Sequence, residues 1–415
     1  MVEKNGESNY KWYILTLSAL THIFVMAVQN SCLPVLFQEI SEDLNLSIVQ
    51  LGTVWGMVGL GAIFIILIGG LLGDKFGVKR TLSVVCFLAG LAGALRGFSV
   101  DFFSLAATTF LFGLMSAFIP TISLKSINIW FPRRQLGLAN SIITISVAVG
   151  LVVGPVISAT VMSPLLGGWR NVLFLYGAIA FLLGFAWLLI RSGPEQSGSL
   201  QSPEKTVPLR QVLLNVVRNR NIWLLGIIFM GHSGCAMGMR GYLPLYLRQR
   251  GWTETNADGA LAATSVASIV GVFPIAFLSH KFGSRKALIL ATVLMTTIGV
   301  GLLSVADGLM IWISVVIAGF VWDGYMAILH TTIMETEGID VEHTATAVGL
   351  VHTIGRLGIV ISPPIGNSLA SINPSLAFIF WAAMAIVPLL CCIYFLKDTG
   401  WRTESIYDGT FYRAS

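Results

Sequence analysis

Charge is scarce in this chain. Its 415 residues include 25 Lys and Arg and 20 Asp and Glu, 11% in all, beside 55% hydrophobic residues. With a mean hydropathy of +0.81, that balance excludes a soluble domain of this size and points to a polytopic membrane protein. Cysteine is also rare. Cys32, Cys86, Cys235, Cys391 and Cys392 are an odd, scattered set inside apolar runs, which excludes a disulfide framework or a metal site. No nucleophile–base pair, metal-ligand spacing or phosphate-cradling loop is present, and no polar stretch is long enough for a nucleotide-binding fold. An enzyme is therefore not expected, nor a cofactor, and any transport is expected to run on a gradient. The net charge of +5 is no nucleic-acid footprint, because most of the basic residues fall in alternate loops.

Twelve apolar segments of spanning length can be drawn, near residues 12–37, 50–72, 81–99, 102–128, 137–162, 169–190, 221–247, 257–279, 286–306, 309–334, 345–370 and 375–396. The first is too long for a signal-peptide core and lacks a small-residue cleavage site, so it is read as an uncleaved helix. With both termini inside, eighteen Lys and Arg fall in cytoplasmic segments and three, Arg170, Arg248 and Arg250, fall outside. That asymmetry orients the chain. The acidic loop at 335–343 dissents, but acidic residues carry little weight in the rule. The expected location is the cell inner (plasma) membrane, multi-pass, as a monomer with lipid around it.

The chain repeats itself. His22, Asn30 and Leu33-Pro34 precede His232, Arg240 and Leu243-Pro244 by 210 residues. Leu72-Gly-Asp-Lys-Phe-Gly77 precedes Leu278-Ser-His-Lys-Phe-Gly283 by 206, and Gly150 and Gly154-Pro155 precede Gly358 and Ser362-Pro363 by 208. Near-equal offsets along the whole length indicate a duplicated six-helix unit. The expected organisation is an N-terminal bundle at 1–191, a cytoplasmic linker at 192–220, a C-terminal bundle at 221–398 and a tail at 399–415. Within the linker, Leu209, Val212, Leu213, Val216 and Val217 recur at helical spacing. They predict a short amphipathic helix, either lying on the inner leaflet or packed against the bundle.

The loop after the second segment reads Gly70-Leu-Leu-Gly-Asp-Lys-Phe-Gly-Val-Lys-Arg80. Glycine permits the sharp reversal, and Lys75, Lys79 and Arg80 mark a cytoplasmic turn. Gly70, Asp74, Lys75, Gly77, Lys79 and Arg80 fit the pattern G-x-x-x-D-(R/K)-x-G-(x)-(R/K)-(R/K). The loop resembles the signature of the major facilitator superfamily between its second and third helices. The resemblance implies an all-α membrane protein with twelve transmembrane helices in two pseudo-symmetric six-helix bundles, and a gating role for these six residues. The second copy departs from it, with His280 where the aspartate would stand.

An ionisable residue at mid-membrane costs about 2.5–3.5 kcal/mol on insertion scales, so each is a candidate for a cavity. Arg356 lies at mid-depth in the eleventh segment with His352 one turn away on the same face. Asp323 lies at mid-depth in the tenth, with His330 seven residues on. Asp323 and Arg356 sit on consecutive antiparallel helices and are expected either to form a structural ion pair or to exchange that pairing with substrate and proton. Arg240, followed by Tyr242 and Tyr246, either binds substrate or snorkels to the outer surface. His22 and His232 are repeat-related and either line a cavity or pack, and Asn30 is the repeat partner of Arg240. Arg96 and Lys125, near segment ends, are read as snorkelling.

Gly150-Leu-Val-Val-Gly-Pro155 resembles part of the antiporter signature of drug exporters, but Ser158 and Ala159 replace its following glycines. A membrane-embedded arginine early in the fourth helix is also missing; Thr108 and Thr109 stand there. The plainer reading is close helix packing and a kink. Arg356 resembles the cation of oxalate/formate-type exchangers in that helix, while Ser265 and Ser268 stand where a second cation would lie in the eighth. The expected function is therefore a secondary transporter of a small organic anion, a monocarboxylate, working by alternating access. Arg356, His352, Arg240, His22, His232, Asn30 and Tyr242 would bind substrate, and Asp323 and His330 would carry a coupled proton. The alternatives are an exporter of lipophilic compounds by proton antiport and a non-transporting receptor on the same scaffold.

Overall fold

The computed structural model describes residues 3–66, 77–190 and 209–399. Among these, twelve helices are long and apolar enough to cross a membrane. They are α1 (Tyr10–Leu44), α2 (Ile48–Ile65), α3 (Val78–Phe98), α4 (Phe102–Trp130), α5 (Leu136–Leu166), α6 (Trp169–Leu189), α7 (Arg220–Gln249), α8 (Glu254–Ser279), α9 (Arg285–Leu302), α10 (Leu309–Met334), α11 (His343–Ala370) and α12 (Pro374–Ile393). Among the described residues, each of the twelve expected segments is helical and no strand occurs.

The helix ends are set by local chemistry. Asp101 caps α4 by accepting from the Ser104 backbone at 2.8 Å, while the Ser104 hydroxyl reaches back to the Asp101 backbone at 3.1 Å, a reciprocal box at the N-terminus. Asn45 ends α1 in the left-handed region at φ 51°, a conformation asparagine tolerates. Gly77 opens α3 at φ 76°, the backbone value for which the sharp turn needs glycine.

The contacts divide the chain into two compact units. The first holds α1 to α6 together with Arg240–Ala262 and Pro363–Asn367; the second holds the stretches up to Met239, Ala263–Ser362 and the end of the chain. The contact units thus do not follow the halves of the sequence repeat: the end of α7, the start of α8 and a short piece of α11 pack with the first six helices.

The repeat itself is visible in how each half is packed. In the first unit, a Cβ added to Gly61 of α2 would collide with the Phe110 carbonyl of α4, and one on Gly113 with the Val58 carbonyl. In the second unit, Gly271 of α8 faces the Phe320 carbonyl of α10 in the same way, and Gly319 the Thr264 carbonyl. These two seams bring backbones into direct contact, the packing that small residues permit in membranes. The α1–α5 pair has its counterpart in α7–α11. The Ser31 hydroxyl donates to the Gly150 carbonyl at 3.2 Å, and the Ser233 hydroxyl to the Gly355 carbonyl at 2.7 Å. The Gly150–Pro155 stretch is thus a packing surface against α1, as its plainer reading has it.

Both α4 and α10 break within their length, at Ala117 and Val321. In α4 the cause is Pro120, which has no N–H for the Ser116 carbonyl. In α10 the Asp323 N–H is diverted to the Ser268 hydroxyl of α8 at 3.0 Å. Two π-turns, Thr21–Ala27 in α1 and Ser158–Met162 in α5, mark further departures from regular helix.

The linker helix, Leu209–Arg218, is packed. Val212 and Val216 are buried, Asn215 lies 3.3 Å from the His343 ring at the start of α11, and Asn219 donates to the Glu337 carbonyl at 2.9 Å. Its opposite face, Leu214 and Val217, is exposed. Of the two readings the sequence left open, packing against the bundle is the one found.

Candidate functional site

The second unit carries a cluster of ionisable and aromatic side chains from α7, α8, α10 and α11. Gly355 has no side chain, and the Phe229 ring of α7 occupies the space where its Cβ would be. Phe229 therefore seats on α11 between the levels of His352 and Arg356, meeting the His352 ring edge-on at 5.3 Å between centroids. On the other side, the His352 Nε2 lies 2.8 Å from the Nε2 of His330 in α10. A contact of that length between two imidazole nitrogens requires one ring to donate and the other to accept.

Arg356 follows one turn along α11. Its Nε is buried with no hydrogen-bond partner, and among the described residues the guanidinium makes no ion pair. The expected pairing with Asp323 is not formed. The Asp323 carboxylate accepts instead from the Ser268 hydroxyl at 2.7 Å. The reason is the α8–α10 seam: Gly271 and Gly319 draw the two backbones together and place Ser268 beside Asp323, so the carboxylate is satisfied within its own helix pair. His232 is buried, stacked on Trp322 at 5.2 Å and 17° and lying 4.0 Å from the Tyr325 ring. It is a member of an aromatic stack in this unit.

The first unit has a polar core of its own. Arg96 is fully buried (0% exposed), which corrects the snorkelling expectation. Its guanidinium donates to the Gly93 carbonyl at 3.3 Å, the Gln29 carbonyl at 3.1 Å and the Gln29 side-chain oxygen at 3.3 Å, and lies over the Phe112 ring at 4.1 Å. Gly93 leaves the room that the Gln29 amide fills. A planar, weakly hydrated cation solvated by carbonyl dipoles and an aromatic face can be held in such a place. His22 sits in the π-turn of α1 and donates from Nδ1 to the Ser18 carbonyl at 2.8 Å. The Asn30 side-chain oxygen is buried without a partner. Arg240 is half-buried, Gly241 beside it abuts Trp55, and Tyr242 is buried with its ring 5.8 Å from Tyr246. Lys125 is half-buried in α4. Of the loop residues, Gly77, Lys79 and Arg80 start α3, while Gly70, Asp74 and Lys75 lie outside the described residues.

One buried ion pair was not read from the sequence. A single guanidinium nitrogen of Arg248 meets both oxygens of Asp258 at 2.7 and 2.8 Å, and the other terminal nitrogen donates to the Val35 carbonyl of α1 at 2.7 Å. The signal was present: a basic and an acidic residue flank the short connection between α7 and α8. Arg248, one of the three basic residues assigned to outer loops, and Asp258 are nearly sealed, with side-chain exposures of 7% and 0%. Beside them, Asn367 donates to the Ile48 carbonyl at 2.8 Å.

Comparison with known proteins accords with this architecture. A model of the Major Facilitator Superfamily matches residues 19–338. The chain is 26% identical over 216 residues to the probable galactarate/D-glucarate transporter GarP of Escherichia coli (strain K12), covering 49% of this chain and 47% of that one, so the match spans about half of that relative's length. It is 23% identical over 337 residues to the 3-(3-hydroxy-phenyl)propionate transporter of the same strain, covering 80% and 81%. Among solved structures, a bacterial homolog of the human lysosomal transporter Spinster superposes with a TM-score of 0.72 at 17% identity, over 93% of this chain and 95% of that one. With twelve helices, an internal six-helix repeat and a family model matched over most of its length, the chain belongs to the Major Facilitator Superfamily, a family of multi-pass membrane transporters and not of enzymes.

Proposed function

We propose that this chain is a secondary transporter of a small organic anion, a monocarboxylate, working by alternating access in the cell inner membrane with both termini cytoplasmic. The observation that carries the reading is Arg356. A guanidinium set at mid-depth in an apolar bundle, with no carboxylate paired to it among the described residues and a buried Nε without a partner, is balanced by an anion from outside the protein. Its planar fork suits a carboxylate. His352, one turn away, supplies a second hydrogen-bonding group on the same face. The names of the relatives support the class, since galactarate, D-glucarate and 3-(3-hydroxy-phenyl)propionate are all carboxylates. Ser265 and Ser268 stand in α8 where a second cation would be needed for two carboxylates, which favours one carboxylate group. Proton handling is assigned to His330 and Asp323. The loop Gly70–Arg80 is assigned the gate.

The test is counterflow of radiolabelled carboxylates in proteoliposomes: 3-(3-hydroxyphenyl)propionate, L-galactonate, D-glucarate and acetate. The parent protein is expected to exchange a monocarboxylate. Arg356→Ala should abolish the exchange, and Arg356→Lys should be nearly as poor because lysine lacks the two-pronged geometry. An Arg356→Ala variant that exchanged like the parent would remove Arg356 from the site.

A further inference from the structure

The His330–His352 contact has a stoichiometry built into it. In the uncharged pair one ring carries its proton on Nε2 and donates it across the 2.8 Å contact, while the other accepts on Nε2 and carries its own proton on Nδ1. The donating ring keeps a bare Nδ1. A proton from water added there makes an imidazolium whose Nε2–H still donates to its neighbour, and the hydrogen bond becomes charge-assisted and stronger. A second proton has one remaining place, the accepting Nε2, where it would point at the first ring's N–H and break the contact. Both histidines are half-buried, and neither Nδ1 is sealed away without a partner.

The surroundings decide when that proton is held. On α11 the nearest charge is Arg356, one helical turn from His352, about 5–6 Å away between Cβ atoms. On α10, Asp323 is two turns from His330 and is occupied by Ser268. Phe229 of α7 faces His352, His232 of α7 is stacked on Trp322 and Tyr325, and the Tyr325 phenol lies on the Phe229 side of that stack. Arg356 is thus the charge with the strongest hold on the pair within this unit, and its sign opposes protonation. An anion on Arg356 removes that opposition.

We infer that His330 and His352 together bind one proton as a single site, and that this shared proton is held more tightly when an anion occupies Arg356. The inference rests on the reading of Arg356 as the anion site. By linkage, the factor by which anion raises proton affinity is the factor by which the proton raises anion affinity. A roughly tenfold effect sits within the 5–150-fold range usual for coupled sites.

The test needs no identified substrate. Full-length protein with ¹⁵N-labelled histidine, reconstituted in phosphatidylcholine bilayers, is titrated by solid-state NMR. The parent should show one proton bound by the pair, with a bridging N–H···N signal that survives protonation. Arg356→Gln imitates neutralisation by an anion and should make the pair bind its proton about tenfold more tightly, moving the titration up by about one pH unit. Arg356→Lys keeps the charge and should titrate near the parent. Two independent single-site titrations, loss of the bridge on protonation, or an Arg356→Gln curve that overlays the parent would each overturn the inference. A folding failure of Arg356→Gln is covered by 50 mM D-glucarate and 50 mM 3-(3-hydroxyphenyl)propionate added to the parent, either of which should produce the same upward move; with that variant lost, no move with either would overturn the inference. If the NMR result holds but none of the carboxylates exchanges in proteoliposomes, the transport reading fails and the proton pair stands.

Discussion

Ser268 holds Asp323 from two directions, donating its hydroxyl proton to the carboxylate at 2.7 Å and accepting the same residue's backbone N–H at 3.0 Å. One side chain on α8 therefore satisfies a membrane-embedded acid and interrupts α10. Ser268→Ala should destabilise the protein by about 1–3 kcal/mol, the usual range for leaving a buried polar group short of a partner. It should also let the Asp323 N–H return to its own helix. Ser268→Thr should keep most of the stability. Thermal unfolding followed by tryptophan fluorescence checks both; an alanine variant as stable as the parent would show that the pairing is incidental.

Arg96 is expected to behave as an interior residue. Arg96→Met removes three donated hydrogen bonds and leaves the Gln29 and Gly93 oxygens without them, so stability should fall by several kcal/mol at about 1–3 kcal/mol for each group left unpaired. Arg96→Lys should fall nearly as far, because an ammonium cannot span the same acceptors. A cysteine at position 96 in a cysteine-free background should resist a membrane-impermeant maleimide from either side. Rapid labelling would restore the snorkelling picture.

Removing one member of the Arg248–Asp258 pair should be worse than removing both. Arg248→Ala strands a carboxylate that is 0% exposed and should cost about 3–5 kcal/mol. The double variant Arg248→Met with Asp258→Leu should recover a good part of that loss, since apolar replacements of buried pairs are often neutral or better. A double variant no more stable than the single one would mean that the Val35 carbonyl contact carries the energy instead.

The cap of α4 gives a pH dependence with a definite sign. The Ser104 hydroxyl and backbone N–H hold the Asp101 carboxyl below its ordinary value. A depressed value means stabilisation that is present above the ordinary carboxylate range, near pH 4, and lost as pH falls through the folded value. The difference in melting temperature between the parent and Asp101→Ala should thus be full at pH 7 and shrink below about pH 4. A difference that stayed constant from pH 7 to pH 3 would show that the carboxylate charge is irrelevant to the cap.

The sequence made the helices legible because the bilayer demands long apolar runs and a positive-inside bias, both of which are local signals. The repeat was legible for the same reason, through His22 and His232 or Gly150 and Gly358. What it left dark were partnerships between helices. Depth placed Asp323 level with Arg356, but not which face of each helix meets which neighbour; the glycine seam chose Ser268. His330 and His352 each stand out as histidines within apolar segments, but their meeting depends on the rotation of α10 against α11. At Arg96 nearness to a segment end suggests nearness to water, whereas Gly93 and Gln29 close over the guanidinium.

The glycine seams of α2 with α4 and α8 with α10 have an evolutionary corollary. Where a backbone carbonyl occupies the space of a missing Cβ, no repacking of neighbours can admit a methyl group, so Gly61, Gly113, Gly271 and Gly319 are frozen letters. Duplicating the six-helix unit doubled the number of such letters without giving either copy a spare. In a saturation library these four codons should be emptied of every alternative, while the lipid-facing positions between them drift freely among Leu, Ile, Val and Phe.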